Sequence, residues 1–335
     1  LRLGDTSTGT VQPNTGTITN NSEATVTFTT SGGLFFNFGT LNAAVSPFYV
    51  GAASFVNIGG ASVATGRNLT VTGPATTTFI GVIEGLGSQT SEGGHLLKTG
   101  SGVLALSGNS ELWNGRIFVQ EGVVSVTRAN SLGSVAGDTS LSGGAASGRV
   151  EFGGNITVAE TFRLAGRDTP GFASLVNVSG NNVLTGPIHL DAGGSEYAIA
   201  TQGGLFEING PLSYGTNDQP ALLRLTGTAA GVVNGTLGGT GNPLSVVKEE
   251  SGVWSLRGPS TFTGSIAVTA GELEVSTSHS GGGAISQASG STLAVRVAAP
   301  GGSLQTSALT VTGGPGTKLI FDFGSHGVPT VPVLG

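Results

Sequence analysis

Leu96-Leu97-Lys98-Thr99-Gly100-Ser101-Gly102-Val103-Leu104-Ala105-Leu106-Ser107-Gly108 is written again, in diverged form, as Val246-Val247-Lys248-Glu249-Glu250-Ser251-Gly252-Val253-Trp254-Ser255-Leu256-Arg257-Gly258. The first copy continues through Gly115-Arg116-Ile117-Phe118-Val119 to Gly122-Val123-Val124-Ser125-Val126, and the second through Gly264-Ser265-Ile266-Ala267-Val268 to Gly271-Glu272-Leu273-Glu274-Val275. Self-similarity over roughly 31 residues marks one supersecondary unit stacked on copies of itself. Inside it Leu104/Leu106, Ile117/Val119 and Val124/Val126 each stand two apart, which is strand spacing, and a glycine-bearing turn separates each pair from the next. Short strands joined by tight turns predict an all-β chain, a β-solenoid with essentially no long α-helix and coils of roughly 20 to 25 residues.

Composition agrees. Glycine accounts for 60 of the 335 residues, and 37% are hydrophobic. There is no Gly-X-Y period, so the glycines read as turns between packed strands rather than as collagen or disorder. Only 10% of residues are charged, which leaves Thr, Ser, Asn and Gly to cover most of the surface. A net charge of -6, with 13 Lys plus Arg spread thinly along the chain, supplies no basic patch for phosphates, so nucleic acid is not an expected partner. Cysteine and methionine are both absent, which removes disulfides, thiol chemistry and the most easily oxidised side chains. That suits exposure outside a cell. No run approaches the roughly 18 apolar residues of a membrane span.

Along the chain, residues 1 to 60 hold Phe28, Phe35, Phe36, Phe38, Phe48 and Phe55 in strand-like company. They read as Phe-rich N-terminal coils closing the first turn against water, or as a contact surface for another subunit. Residues 61 to 335 read as the solenoid proper, with diverged modules at about 61–160 and 180–290. Gly73-Pro74, Gly186-Pro187, Gly210-Pro211, Gly258-Pro259 and Gly314-Pro315 follow alternating runs and belong at coil corners, because proline cannot donate to a ladder. Residues 325 to 335 form an extended tail. Its Val328-Pro329-Thr330-Val331-Pro332-Val333-Leu334 is apolar and has no obvious turn to bring it back.

The passage from Lys98 to Gly108 resembles the autotransporter-associated β-strand repeat (passenger-associated transport repeat) of bacterial proteins, whose Lys-Thr-Gly-x-Gly-x-Leu-x-Leu-x-Gly opening leads through an Asn-Thr-Tyr-Thr-Gly-like turn to two further strands. Ala129-Asn130-Ser131-Leu132-Gly133 is similar to the step that often follows, and Ser260-Thr261-Phe262-Thr263-Gly264 matches the turn. The first copy departs at Glu111-Leu112-Trp113-Asn114, a turn one residue longer, and the second at Glu249-Glu250, where Thr-Gly is usual. Leu319-Ile320-Phe321-Asp322-Phe323-Gly324 resembles the family in style only. The resemblance implies a right-handed parallel β-helix of a secreted or surface-exposed bacterial protein, with structural, adhesive or self-associating roles, and implies no enzyme.

Parallel β-helices also include carbohydrate-active enzymes, which gather carboxylates on one face. Here Asp5, Asp138, Asp168, Asp191, Asp218 and Asp322 are never adjacent or two apart, and the close carboxylate pairs are Glu249/Glu250 and Glu272/Glu274. With His279 nearby, Glu272 and Glu274 form an acid–base candidate, weighed against plain outward positions of a half-buried strand. Asp168 beside Arg167, with Arg163 and Glu160 upstream, reads as a surface charge cluster or local ion pair rather than a sugar subsite. His95, His189, His279 and His326 lack zinc spacing. Pro243 breaks the calcium-binding pattern begun at Gly238-Gly239-Thr240-Gly241, and no phosphate loop, dinucleotide fingerprint or nucleophile elbow occurs. No cofactor or metal is expected.

Trp254, aligned with inward Leu104, reads as core, and Trp113, in the lengthened turn, as an exposed candidate for glycan contact. The leading expectation is an extracellular structural solenoid that joins end to end into a fibre or surface layer. Phe35, Phe36, Phe38, Val331, Val333 and Leu334 are the candidate assembly residues, with the tail of one copy covering the Phe-rich coil of the next. The alternatives are an adhesin for surface glycans and, behind it, a carbohydrate-active enzyme.

Overall fold

A computed structural model describes residues 94–335 apart from 142–147, 192, 216–219, 240–242 and 328–330. Before residue 94 it describes the stretches 18–19, 26–28, 35–37, 41–43, 48–50, 55–57, 61–63, 68–72, 76–79 and 83–84. The described residues contain strands and no helix, and the strands stack in parallel as a β-solenoid. Residues joined across neighbouring coils lie 19 apart at Ser260 and His279, 20 at Ser245 and Ser265, 24 at His189 and Ser213 and 25 at Asn209 and Asn234, and reach 27 at Leu69 and Leu96, a spread slightly wider than the 20 to 25 expected. The chain falls into two compact units, Leu1–Arg163 and Leu164–Gly335, each carrying one copy of the repeated passage.

Parallel register sets like above like. In the first unit Leu104 pairs with Val124 and Val124 with Val150, while Leu106, Val126 and Phe152 form the next row; all are buried. In the second, Leu175, Ile199 and Leu225 stack in the same way, as do Leu273 on Leu293 and Val275 on Val295. The strict alternation of buried and half-buried residues through Gly148–Phe152 and Ala221–Gly227 is the period-2 pattern that the sequence displayed.

The repeated passage builds an abbreviated coil. Elsewhere in the second unit a coil makes three strands, Glu196–Thr201, Leu205–Ile208 and Leu212–Tyr214, before Ala221–Gly227 pairs back on the first of them. In the repeated passage Ile266–Val268 pairs back on Leu244–Lys248 after a single intervening strand, Val253–Leu256. The first copy does the same, with Ile117–Val119 on His95–Lys98 around Val103–Leu106. The third side shrinks to one serine in each. Ser260 bridges Leu237 and His279, and Ser110 accepts from the Ile83 amide while donating its own amide to Asn130. The space a strand would have filled is taken by an aromatic from the turn, Trp113 or Phe262, both buried.

Lys98 and Lys248, the lysines common to both copies, are fully buried, at 1% and 0% exposure. The Lys98 ammonium donates to the carbonyls of Thr99, Gly100 and, one coil on, Glu121, at 2.9, 2.5 and 3.1 Å. Lys248 repeats the clamp on Glu249, Glu250 and Ala270, at 2.6, 2.7 and 3.2 Å. All three ammonium protons are used, which is what allows a charge to sit there. Burial lowers both lysines to about 8, against the pull of Glu121 on one and of Glu250 and Glu249 on the other, so both remain protonated at neutral pH.

The glycines around the clamp follow from it. Gly122 and Gly271 have φ of 76° and 63°, and a Cβ on either would lie 2.7 Å from the lysine nitrogen and closer still to two carbonyls. The second copy puts Glu250 at φ 57° where the first has Gly100 at 71°. The Glu250 carboxylate accepts the Gly227 amide at 2.9 Å, and Glu249 pairs with Arg224, so the departure from Thr-Gly ties the turn to the preceding coil.

Replacing Lys98 or Lys248 with methionine keeps the stem but leaves three carbonyls without their donor. At about 1–3 kcal/mol per unpaired buried polar group, each substitution is expected to cost roughly 3 kcal/mol. The check is the urea midpoint followed by tryptophan fluorescence, and an unchanged midpoint would show that the clamp contributes nothing.

Candidate functional site

The last described strands, Leu309–Val311 and Lys318–Asp322, each end a sheet, with a single pairing partner apiece. In Lys318–Asp322 all five residues are exposed, although Leu319 and Phe321 stand in register with Leu293 and Val295, which are completely buried one coil earlier. Core positions therefore continue to the edge and meet solvent there: Leu319, Ile320 and Phe321 are 39, 40 and 38% exposed, and Val311 is 44%. The Lys318 amide donates to Ser291 of the previous coil and Asp322 accepts from Val297. By strand alternation, the polar backbone groups of Leu319 and Phe321 face away from that coil, toward the open edge.

The expected assembly residues fall elsewhere. Phe35 and Phe36 lie in the strand Phe35–Asn37, which pairs in parallel with Phe55–Asn57; their side chains, and all of Phe38, lie outside the described residues. The tail does turn back. The Leu304 amide donates to Val333 at 2.7 Å, Thr306 to Gly335 at 2.9 Å, and the Gly335 amide returns a bond to Leu304 at 3.1 Å. Val333 and Leu334 are thereby half-buried on their own chain, while Val331 stays exposed at 44%. The expectation of an unreturned tail missed this because bridge pairing needs no sequence signal beyond an extended segment.

Trp113 is a correction. It is wholly buried, not an exposed sugar-stacking ring, because the shortened coil needs its volume inside. Gly115 makes room for it: a Cβ there would come 2.5 Å from the indole nitrogen. The exposed apolar residue of that turn is Leu112, at 84%, beside exposed Glu111. Trp254 is core as expected, and its indole donates to the Thr226 carbonyl at 3.0 Å.

Coil stacking gathers charges that are distant in sequence. In the first unit Asp138 accepts from Arg116 at 2.7 Å on one oxygen and from Arg163 at 3.1 Å on the other, and Ser140 adds a bond of 3.1 Å. The Arg116 guanidinium also lies 4.9 Å above the Phe118 ring. Beside them Glu160 is 3% exposed and bonded to Thr139 at 3.2 Å; burial, with a smaller contribution from the Asp138 charge, raises it to about 8. A protonated carboxyl near an ionised one has the electronic layout of an acid–base pair, but both oxygens of Asp138 are engaged by arginines and Glu160 is sealed from solvent.

In the second unit Asp168 is likewise buried, at 5%. It accepts from Ser174 at 2.7 and 2.9 Å and from the Ala198 amide at 2.7 Å, and burial raises it to about 6. Glu160 and Asp168 are thus interior groups, not members of a surface cluster. No pattern in the sequence distinguished them from solvated carboxylates. Glu274 is bound by Arg257 at 2.8 Å, while His279 is buried against Ser260 at 2.9 Å, where burial lowers its basicity, so Glu274 and His279 are each engaged by other partners. Among the described residues no group of three or more His, Cys, Asp or Glu is placed to hold a metal, and no helix is long and apolar enough to cross a membrane.

No family model, curated protein or solved structure matches the chain.

Glu160 and Asp168 fix a pH dependence. Their folded values, about 8 and about 6, lie above the ordinary carboxylate range near 4, so the folded state holds protons that the unfolded chain releases. The stability they contribute is complete below about pH 4 and is lost as pH climbs through 6 and then 8. Thermal melts across that range should show a falling midpoint, and Glu160→Gln should flatten the upper part of the fall. A midpoint that rises toward pH 8, or an unaltered slope in the variant, would contradict the assignment.

Proposed function

We propose that this chain is a structural β-solenoid of the bacterial cell exterior that associates end to end with further copies of itself. The observation that carries the reading is the open edge at Lys318–Asp322, where in-register core positions and outward-facing backbone groups stand ready for another parallel strand. A second copy suits this edge. A parallel ladder has polarity: among the described residues the sheet that ends at Leu309–Val311 begins at Phe35–Asn37, whose one described partner is Phe55–Asn57, so one copy's last strand and another's first run in the same direction.

The weakly charged composition, the absence of cysteine and methionine, and the resemblance of the repeated passage to autotransporter-associated repeats support an exterior location. The function would then reside in shape and in ladder continuation rather than in chemistry at a point. With Trp113 buried, no observation favours glycan adhesion.

Sedimentation and electron microscopy of the 335-residue chain test this. Concentration-dependent end-to-end oligomers are expected, and Leu319→Lys with Phe321→Lys, which charge the open end, should leave monomers with unchanged circular dichroism. Leu112→Ser, altering an exposed apolar residue in the other unit, should leave assembly intact. A chain that stays monomeric at high concentration, or charged variants that assemble as before, would defeat the reading.

A further inference from the structure

Early in the second unit a pairing strand is interrupted. Arg167 bridges to Glu196 and Leu175 pairs with Ile199, but residues 168–174 separate the first two contacts on one chain and only Tyr197 and Ala198 on the other. Five residues are surplus to the register and leave the sheet as an oversized bulge. Its tip is a tight turn in which the Phe172 amide donates to the Thr169 carbonyl at 2.9 Å, with Gly171 at φ 83°; Thr169, Pro170 and Gly171 are exposed. The rest of the bulge covers the outer face of the sheet. Tyr197 and Ile199 stand in register with inward Leu223 and Leu225, so Ala198 and Ala200 face outward, in register with Arg224 and Thr226. Arg224 and Thr226 are half-buried, whereas Ala198 and Ala200 are 1 and 6% exposed, and Val176, in register with Ala200, is 2%. Ala173 of the bulge packs in the same cluster and closes it.

One carboxyl ties the two legs of the bulge together. Asp168, on the first leg, has Oδ1 2.7 Å and Oδ2 2.9 Å from the hydroxyl oxygen of Ser174, on the last, and Oδ2 accepts the Ala198 amide at 2.7 Å. The main chain adds the Asp168 amide donating to Glu196 at 3.0 Å and the Ser174 amide to Ala198 at 3.1 Å. This geometry suits a neutral acid, whose Oδ1–H donates to the Ser174 oxygen while Oδ2 accepts from Ala198. An ionised carboxylate would sit 5% exposed against alanine and valine side chains. The charges around it give no relief. Glu196 repels it, Arg224 is committed to Glu196 at 2.9 Å and to Glu249, and Arg167 turns its Nε to the Gly193 carbonyl at 3.1 Å. Burial is the main cause that raises the carboxyl to about 6 in the closed bulge. Opening returns it to the ordinary range near 4, so opening releases a proton and gains as pH climbs past 6.

We infer that residues 168–174 form a pH-operated strap, shut over the outer apolar strip of Val176, Ala198 and Ala200 while Asp168 is a neutral acid and released when Asp168 ionises. Because the strap is surplus to the register, its release leaves the inner row of Leu175, Ile199 and Leu225 in place. What changes is the outer face. Below pH 6 that part of the coil is covered, and above it an apolar strip meets water beside the charged row of Glu196, Arg224 and Glu249.

The test is hydrogen exchange of the folded 335-residue chain, read by mass spectrometry from pH 5 to 8 and normalised for the intrinsic rate. Protection of the Ser174 and Ala198 amides is expected to fall about tenfold per unit of pH above 6, the slope of one released proton. The Leu212 amide, which donates to Thr236 on another side of the coil, should keep its protection throughout. Asp168→Asn retains the shape of the neutral acid with a permanent donor toward Ser174, and should hold the strap shut across the range with unchanged circular dichroism. Ser174→Ala, which removes the partner on the opposite leg, should raise Ala198 exchange already at pH 5. Protection that ignores pH, a wild-type pH dependence in Asp168→Asn, or a loss shared by Leu212, the mark of a whole coil unfolding, would each overturn the assignment.

Discussion

Everything in this protein depends on parallel strands returning to the same register one coil later. Because side chains alternate across a strand, a return in register sets each inward residue on the inward residue of the previous coil, and the core becomes a set of rows: Leu104, Val124 and Val150, or Leu175, Ile199 and Leu225. A slip of one residue would turn every row outward. The buried lysines guard that register. Each joins the carbonyls of its own turn to a carbonyl of the next coil, so a misplaced coil would strand an ammonium ion in a place that water cannot reach.

The same principle explains why the ends of a solenoid differ from its middle. Inside a sheet each strand has two partners and each core residue two neighbours in its row. At Lys318–Asp322 one side of that arrangement is absent, and residues as apolar as Leu319, Ile320 and Phe321 lie more than a third exposed. Such an edge is adhesive by default unless charge, proline or a covering segment blunts it. The returning tail at Val333–Gly335 pairs with Leu304 and Thr306, and Phe321 remains exposed.

Polar groups inside the coils serve two distinct purposes. Ser110 and Ser260 stand in for an entire strand by bridging the coils on either side, while Glu160 and Asp168 are interior carboxyls whose proton uptake is set by burial. Neither arrangement resembles a binding cleft. Asp138 spends both oxygens on arginines from neighbouring coils.

The sequence by itself determined the class of fold, because period-2 apolar pairs between glycine turns, written twice, have few other solutions; it also marked Trp254 as core and placed the corner glycines. It did not reveal that the repeat is a coil with one side missing. That depends on which face a turn closes, a property of the coils above and below, and it decided that Trp113 lies inside rather than on the surface. The depth of Glu160 and Asp168, the pairing of the tail with Leu304 and the exposure of Phe321 likewise follow from stacking. Residues some twenty positions apart become neighbours only once the register is set, and nothing local in the chain records which of them will meet.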